Sequence, residues 1–182
     1  GPLVKDETEF EKCLYVARRL AENRVAVSGM EDTDTFYISS LSSNRIVYKG
    51  LLMGTQVADF YTDLTNPAMT SSFALVHARF STNTLGSWKL AHPYRFMLHN
   101  GEINTLRGNI NWMVARQTLF ASPLFGEDIN KLLPIITPDG SDSSAFDNAL
   151  EVLLATGRSL PHAMMMMIPE AWNNYPEMPE EQ

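Results

Sequence analysis

The sequence holds one cysteine, Cys13, in 182 residues. That excludes an internal disulfide framework and any cysteine-rich metal centre. Basic residues are few: 14 Lys and Arg stand against 21 Asp and Glu, giving a net charge of -7. A nucleic-acid surface is read from a basic patch, so no nucleic-acid partner is expected. The chain has no run of about 18 apolar residues, the signal of a membrane-spanning helix, so no membrane partner is expected either. Its glycines form neither the G-x-G-x-x-G nor the Walker pattern, so no phosphate-cradling loop is expected. Four histidines, His77, His92, His99 and His162, fall at spacings that match no zinc motif, and no metal is expected.

What is present is an ordinary globular composition, 45% hydrophobic and 19% charged, with enough length for one sizeable core. There is no internal repeat. Gly1-Pro2 reads as the scar of a cleaved expression tag and is set aside. Residues 1–182 are then read as one partial domain, an internal segment of a longer protein.

The periodicities predict a mixed α+β layout, with helices packed on a mostly antiparallel sheet. Phe10, Cys13, Leu14, Ala17, Leu20 and Ala21 recur at helical spacing and predict a helix over Thr8–Asn23 with one apolar stripe. Thr8 with Glu11 suggests its capping box. Thr35–Leu41 and Arg45–Gly50 read as strands joined by the turn residues "SSN". Thr55–Leu64 reads as a short helix, Phe73–Ala78 and Tyr94–His99 as strands. Ile110–Ser122 and Ser143–Thr156 read as helices, the second ending at Gly157, where a left-handed cap is common. Pro161–Met167 starts a further helix with proline in its first turn. Met164–Met167 read as core, since methionine fills irregular gaps; an apolar contact surface is the alternative.

Three stretches could carry chemistry. In "HARFSTN", Arg79 follows a strand and could clamp a carboxylate with its planar fork, or make an ordinary structural ion pair. In "HNG", the Asn100 amide and the Gly101 N–H could aim two donors at one developing oxyanion; an Asn-Gly turn is the plain alternative. In "GSDSSAF", Asp142 stands at a helix entrance and could hold an ammonium group, because Ser141 and Ser143 are themselves good caps. Cys13 falls inside the apolar stripe of the first helix, where a buried thiol is inert.

Taken together these stretches match something specific. "SSLSSNRIVYKG", "HARFSTNT", "SWKLAHPYRFMLHNGEINTLRGNINWM" and "LLPIITPDGSDSSAFDNALEVLLATGRSLPHAMMMMIPEAW" closely resemble the glutamine amidotransferase domain of the glutamate synthase large subunit. The likeness runs from about Cys13 to Tyr175. It implies an N-terminal nucleophile hydrolase fold, an αββα sandwich, incomplete here. It implies hydrolysis of L-glutamine to glutamate and ammonia, with the ammonia used in reductive amination of 2-oxoglutarate. By that resemblance Arg79 would bind the α-carboxylate of glutamine and Asp142 its α-ammonium. Asn100 and Gly101 would form the oxyanion hole, and Thr82 and Asn83 would line the site.

The family's nucleophile is a cysteine at the mature N-terminus, and no such residue stands in this chain. The polypeptide is therefore expected to be inactive by itself and, with sheet edges bare, to self-associate. A non-catalytic glutamine-binding or interaction module is the alternative reading. FMN and an iron–sulfur cluster are implied for the full-length enzyme and none for this segment. The remainder of the glutamate synthase chain is the implied partner, and the implied compartment is the cytoplasm or, in a plant or alga, the plastid.

Overall fold

A computed structural model describes residues 4–80, 86–101, 103, 106–117, 119–137 and 140–168. Its elements are helical: α1 (Glu7–Ala26), α2 (Val57–Phe60), α3 (Leu106–Gln117), α4 (Asp142–Ala155) and α5 (Leu160–Met167), with a 3-10 helix at Gly126–Leu132. The capping predicted at Thr8 falls instead on Asp6, whose side chain accepts from the Glu9 N–H at 2.8 Å. Asp6 wins because an ionised acceptor stands one turn ahead of the orphan donors. Thr55–Leu64 is not one helix but short turns, Gly54–Gln56, α2 and Thr62–Thr65. α3 begins and ends earlier than its apolar spacing suggests. At the end of α4, Gly157 has φ +94, and its N–H and that of Arg158 donate to Leu154 and Leu153 carbonyls. That is the left-handed stop expected of glycine there.

The core is small. Tyr15 of α1, Phe125, Ile129, Leu132, Ile135 and Val152 of α4 form one buried cluster. Tyr15 meets Phe125 edge to face, with ring centroids 6.3 Å apart.

The buried face of α1 is not the apolar stripe. It is Tyr15, Arg18 and Arg19. Arg18 is 2% exposed and pairs with Glu22 and with Glu151 of α4. Arg19 donates to the Leu132 and Pro134 carbonyls, and Asn23 to the Leu133 carbonyl at 2.8 Å. Each guanidinium finds ions or carbonyls inside, which is the condition for burying a charge. Cys13, expected to be buried, is consequently exposed. The methionine run is only partly core: Met165 and Met166 are 64% and 45% exposed.

The strand expectations are corrected. Among the described residues none belongs to a β-ladder, so the αββα sheets are not seen here. The segments expected at Thr35–Leu41 and Arg45–Gly50 do fold back on each other, but serine hydroxyls take the place of ladder bonds. Ser40 Oγ accepts from the Val47 N–H at 3.1 Å, and Ser39 Oγ donates to the Val47 carbonyl at 3.3 Å. Glu11 of α1 holds the turn, accepting from the Ser43 N–H, the Ser42 hydroxyl and Arg45. Phe73–Ala78 and Tyr94–His99 are irregular as well.

Candidate functional site

Asp142 opens α4. Ser141 is the N-cap, its hydroxyl accepting from the Ser144 N–H at 3.1 Å, so Asp142 is indeed not the main cap. It is not free, however. Its Oδ2 accepts from the Ile103 N–H at 2.8 Å, and its Oδ1 accepts from the Ser143 N–H at 2.6 Å and the Ser143 hydroxyl at 3.1 Å. Partial burial pushes the carboxyl up, but these donors outweigh it, and the group stays below its usual range. An ionised carboxylate has about four acceptor positions. Three are used, which leaves room for one further donor.

The Ile103 bond brings the "HNG" turn to Asp142. A second tie runs beside it: His99 Nε2 lies 2.6 Å from Ser143 Oγ. The Gly101 N–H donates to His99 Nδ1 at 3.1 Å. Because Nδ1 accepts, Nε2 carries the proton and donates to Ser143, whose own hydrogen points to Asp142. The side of the turn away from these ties is open, and Asn100 and Gly101 are exposed.

A third segment joins through stacked rings. His92 meets His99 edge-on at 5.6 Å and Tyr94 at 4.9 Å, and stacks on His77 at 4.8 Å. Burial, then the neighbouring His77 and His99, lowers His92 to about 4, so the stack is held by a neutral ring. His77 Nδ1 lies 2.7 Å from the Arg79 carbonyl. The Arg79 side chain is exposed and makes no ion pair among the described residues. Arg79, Asn100, Gly101 and Asp142 are thus carried by segments joined in a line, His77–His92–His99–Ser143–Asp142. Thr82 and Asn83 lie outside the described residues.

Among the described residues these tied segments carry one anion with a spare acceptor position, a guanidinium without an ion pair, and a neutral amide beside a glycine N–H. The family model "Glutamine amidotransferases class-II" matches residues 2–182. The chain belongs to the class-II glutamine amidotransferase family. Membership carries the N-terminal nucleophile hydrolase fold class with it. The chain is similar to the glutamate synthase [NADPH] large chain of Bacillus subtilis, 55% identical over 98% of this chain and 11% of that protein. It is 54% identical to the glutamate synthase [NADH] of Schizosaccharomyces pombe, over 93% of this chain and 8% of that one. The chloroplastic ferredoxin-dependent glutamate synthase 2 of Arabidopsis thaliana is 43% identical over 97% of this chain and 11% of its own length. The chain therefore spans about a tenth of the length of the curated relatives it matches.

Several residues that hold these segments in place carry little signal in the sequence. Lys49 is buried. Its ammonium donates to the Ala91 carbonyl at 2.7 Å and the Trp88 carbonyl at 3.0 Å, and sits over the Tyr37 and Tyr94 rings. It thereby fixes the loop that leads into His92. Tyr94, pushed up to about 12 by burial, bonds the Ser141 hydroxyl at 2.8 Å and so reaches the cap of α4. The only sequence signal for Lys49 was a charge between two apolar runs. No helix among the described residues is long and apolar enough to cross a membrane.

Proposed function

We propose that this chain is the glutamine-binding and oxyanion-hole portion of the glutaminase domain of a glutamate synthase. Arg79 takes the α-carboxylate of L-glutamine in its fork, and Asp142 takes the α-ammonium on its remaining acceptor site. Thr82 and Asn83 line the amide. When a thiolate attacks the amide carbon, the carbonyl oxygen gains charge, and the Asn100 amide with the Gly101 N–H receives it. Losing one such donor costs roughly 3–4 kcal/mol of transition-state stabilisation. The Gly101 N–H is held by His99 in this state, so the reaction requires it to turn from the ring to the substrate. Ammonia then leaves, water releases glutamate from the thioester, and the ammonia serves reductive amination of 2-oxoglutarate elsewhere in the longer protein.

The observation that supports this reading is the pair of ties, Ile103 to Asp142 and His99 to Ser143, which bring the Asp142 carboxylate beside the turn that carries Asn100 and Gly101. Calorimetric titration with L-glutamine tests it. Binding is expected in the unaltered chain, and Arg79→Ala is expected to weaken it by about 2 kcal/mol, roughly 30-fold. No measurable affinity in the unaltered chain, or equal affinity in the variant, overturns the reading.

Cys13 does not supply the thiolate in this proposal. It stands inside α1, where its nitrogen is part of the peptide chain and no free α-amine can act as its base. This polypeptide by itself then binds glutamine without turning it over, and a thioester trapped at Cys13 in a single turnover would contradict that. FMN and an iron–sulfur cluster belong to other parts of the longer protein.

The αββα sandwich completes this reading of the fold, with sheet partners supplied by the longer polypeptide. Exposed apolar residues along the irregular segments, including Ile46, Leu51, Met53, Phe73 and Val76, support self-association of the isolated chain. Sedimentation showing a monomer at high concentration would count against it.

A further inference from the structure

Asp147 lies on α4, is 0% exposed, and has few partners. Its Oδ1 accepts from the Phe96 N–H at 2.8 Å and its Oδ2 from the Arg95 N–H at 3.3 Å. The Arg95 guanidinium stands 3.6 Å from Oδ2. All of these belong to the root of one segment, the one that runs on to His99, Asn100 and Gly101. The far end of that segment is held by the same helix, through Ile103 on Asp142.

The two grips are five residues apart on α4, a rise of about 7.5 Å. The stretch from Phe96 to Ile103 could extend over about 23 Å. The surplus chain must bulge from the helix between the grips, with the His99 side chain tying it back to Ser143 at 2.6 Å, and that bulge carries His99, Asn100 and Gly101. The height of the loop over Asp142 therefore depends on where its root is pinned.

The pin costs stability. Burial, with Glu151 nearby, pushes Asp147 up to about 6, and Arg95 and the two N–H groups offset this only in part. An isolated stabilising role is poorly served by such a residue, because a well-packed apolar side chain avoids the desolvation penalty. Its partners explain it better: two backbone N–H groups that leave an irregular segment with no ladder to satisfy them.

We propose that Asp147 is a positioning residue of the amidotransferase site, setting the separation between the Asn100–Gly101 donors and the Asp142 carboxylate. The proposal rests on the glutamine-binding reading above, and its test separates the two. Asp147→Asn, Asp147→Glu and a control, Val152→Ala, are compared in the full chain. Val152 is buried on the same helix but packs into the apolar cluster. The readouts are the Gly101 amide and His99 ring-nitrogen resonances, glutamine affinity, and the unfolding midpoint.

Asp147→Glu keeps the carboxylate but lengthens its reach by one methylene, so it is expected to stay folded, shift the Gly101 and His99 resonances, and weaken glutamine binding about tenfold. Asp147→Asn should shift the same resonances. Val152→Ala should lower the midpoint and leave those resonances in place. Unmoved Gly101 and His99 signals in Asp147→Glu overturn the proposal, as do equal shifts in the Val152 control. Should the unaltered chain bind no glutamine, the functional reading fails, while the resonances still decide whether Asp147 positions the loop.

Discussion

Replacing Asp142 separates the two tasks assigned to it, holding the turn and holding a ligand. In Asp142→Ala the Ile103 N–H loses an ionised acceptor at 2.8 Å, a bond worth about 1.5–3 kcal/mol. The helix also loses an acid from its first turn, about 0.5 kcal/mol. The Ser143 N–H can turn to water, since first-turn donors are reachable at a helix end. The total is about 2–3.5 kcal/mol, which at a slope of about 2 kcal/mol per molar urea moves the midpoint by about 1–1.8 M. Asp142→Asn keeps one carbonyl oxygen for Ile103 and should lose about 1 kcal/mol. Both variants lose the charge that an α-ammonium needs, so glutamine affinity should fall in both by a similar factor, although their stabilities differ. The pH dependence has a definite sign. The carboxyl lies below its unfolded range, so its contribution is complete above that range and is lost as pH falls through the folded value. In urea melts the gap between Asp142→Ala and the unaltered chain should therefore be smaller at pH 3 than at pH 7. Asp142→Asn with undiminished glutamine affinity, or Asp142→Ala with an unmoved midpoint, refutes the reasoning.

Burial lowers Lys49 to about 7, so the unfolded chain binds the extra proton between that value and its ordinary one, and stability should rise with pH across this alkaline window. Lys49→Met should remove that rise; identical pH profiles by thermal melting would count against it. Removing Glu151 alone leaves Arg18 buried with only Glu22, costing about 3 kcal/mol. Arg18→Leu with Glu151→Leu should cost less than the sum of the single changes, with coupling of at least about 1 kcal/mol in a urea-melt cycle, and strict additivity would show that the pair does not act as a unit.

Local order was legible where apolar spacing and caps agreed. α4 and α5 fall within a residue of their expected starts, because in α4 Ala145, Ala149 and Val152 recur at helical spacing and Gly157 ends the run. Of the candidate residues, Asp142 and the "HNG" turn do lie together, tied through Ile103 and His99. What escaped is the interior charge. Hydropathy assigns arginine to the outside, yet Arg18 and Arg19 face inward because Glu151 and the carbonyls of Leu132 and Pro134 lie opposite them. Those partners are more than a hundred positions away in sequence, so no local pattern reveals them. Asp147 left a faint signal, an acid one turn before Leu150 on the buried face of α4. The alternation in Tyr94–His99 reads as a strand, but its N–H groups at Arg95 and Phe96 go to that carboxylate and not to a neighbouring strand.

These bonds share a logic. Irregular backbone must place its polar groups somewhere, and here side chains of the two long helices receive them: Glu11 the turn at Ser43, Asp147 the root at Arg95 and Phe96, Asp142 the exit at Ile103. Lys49 does the converse for the carbonyls of Trp88 and Ala91. Stability and site geometry then rest on different residues. Leu132→Ala removes a side chain from the centre of the apolar cluster and should lower global stability by about 3 kcal/mol while leaving the line from His77 to Asp142 in register. A change at Asp147 or Lys49 should act the other way, moving the site by more than it lowers the melting point, because each of these groups is already held at a desolvation cost that its loss gives back.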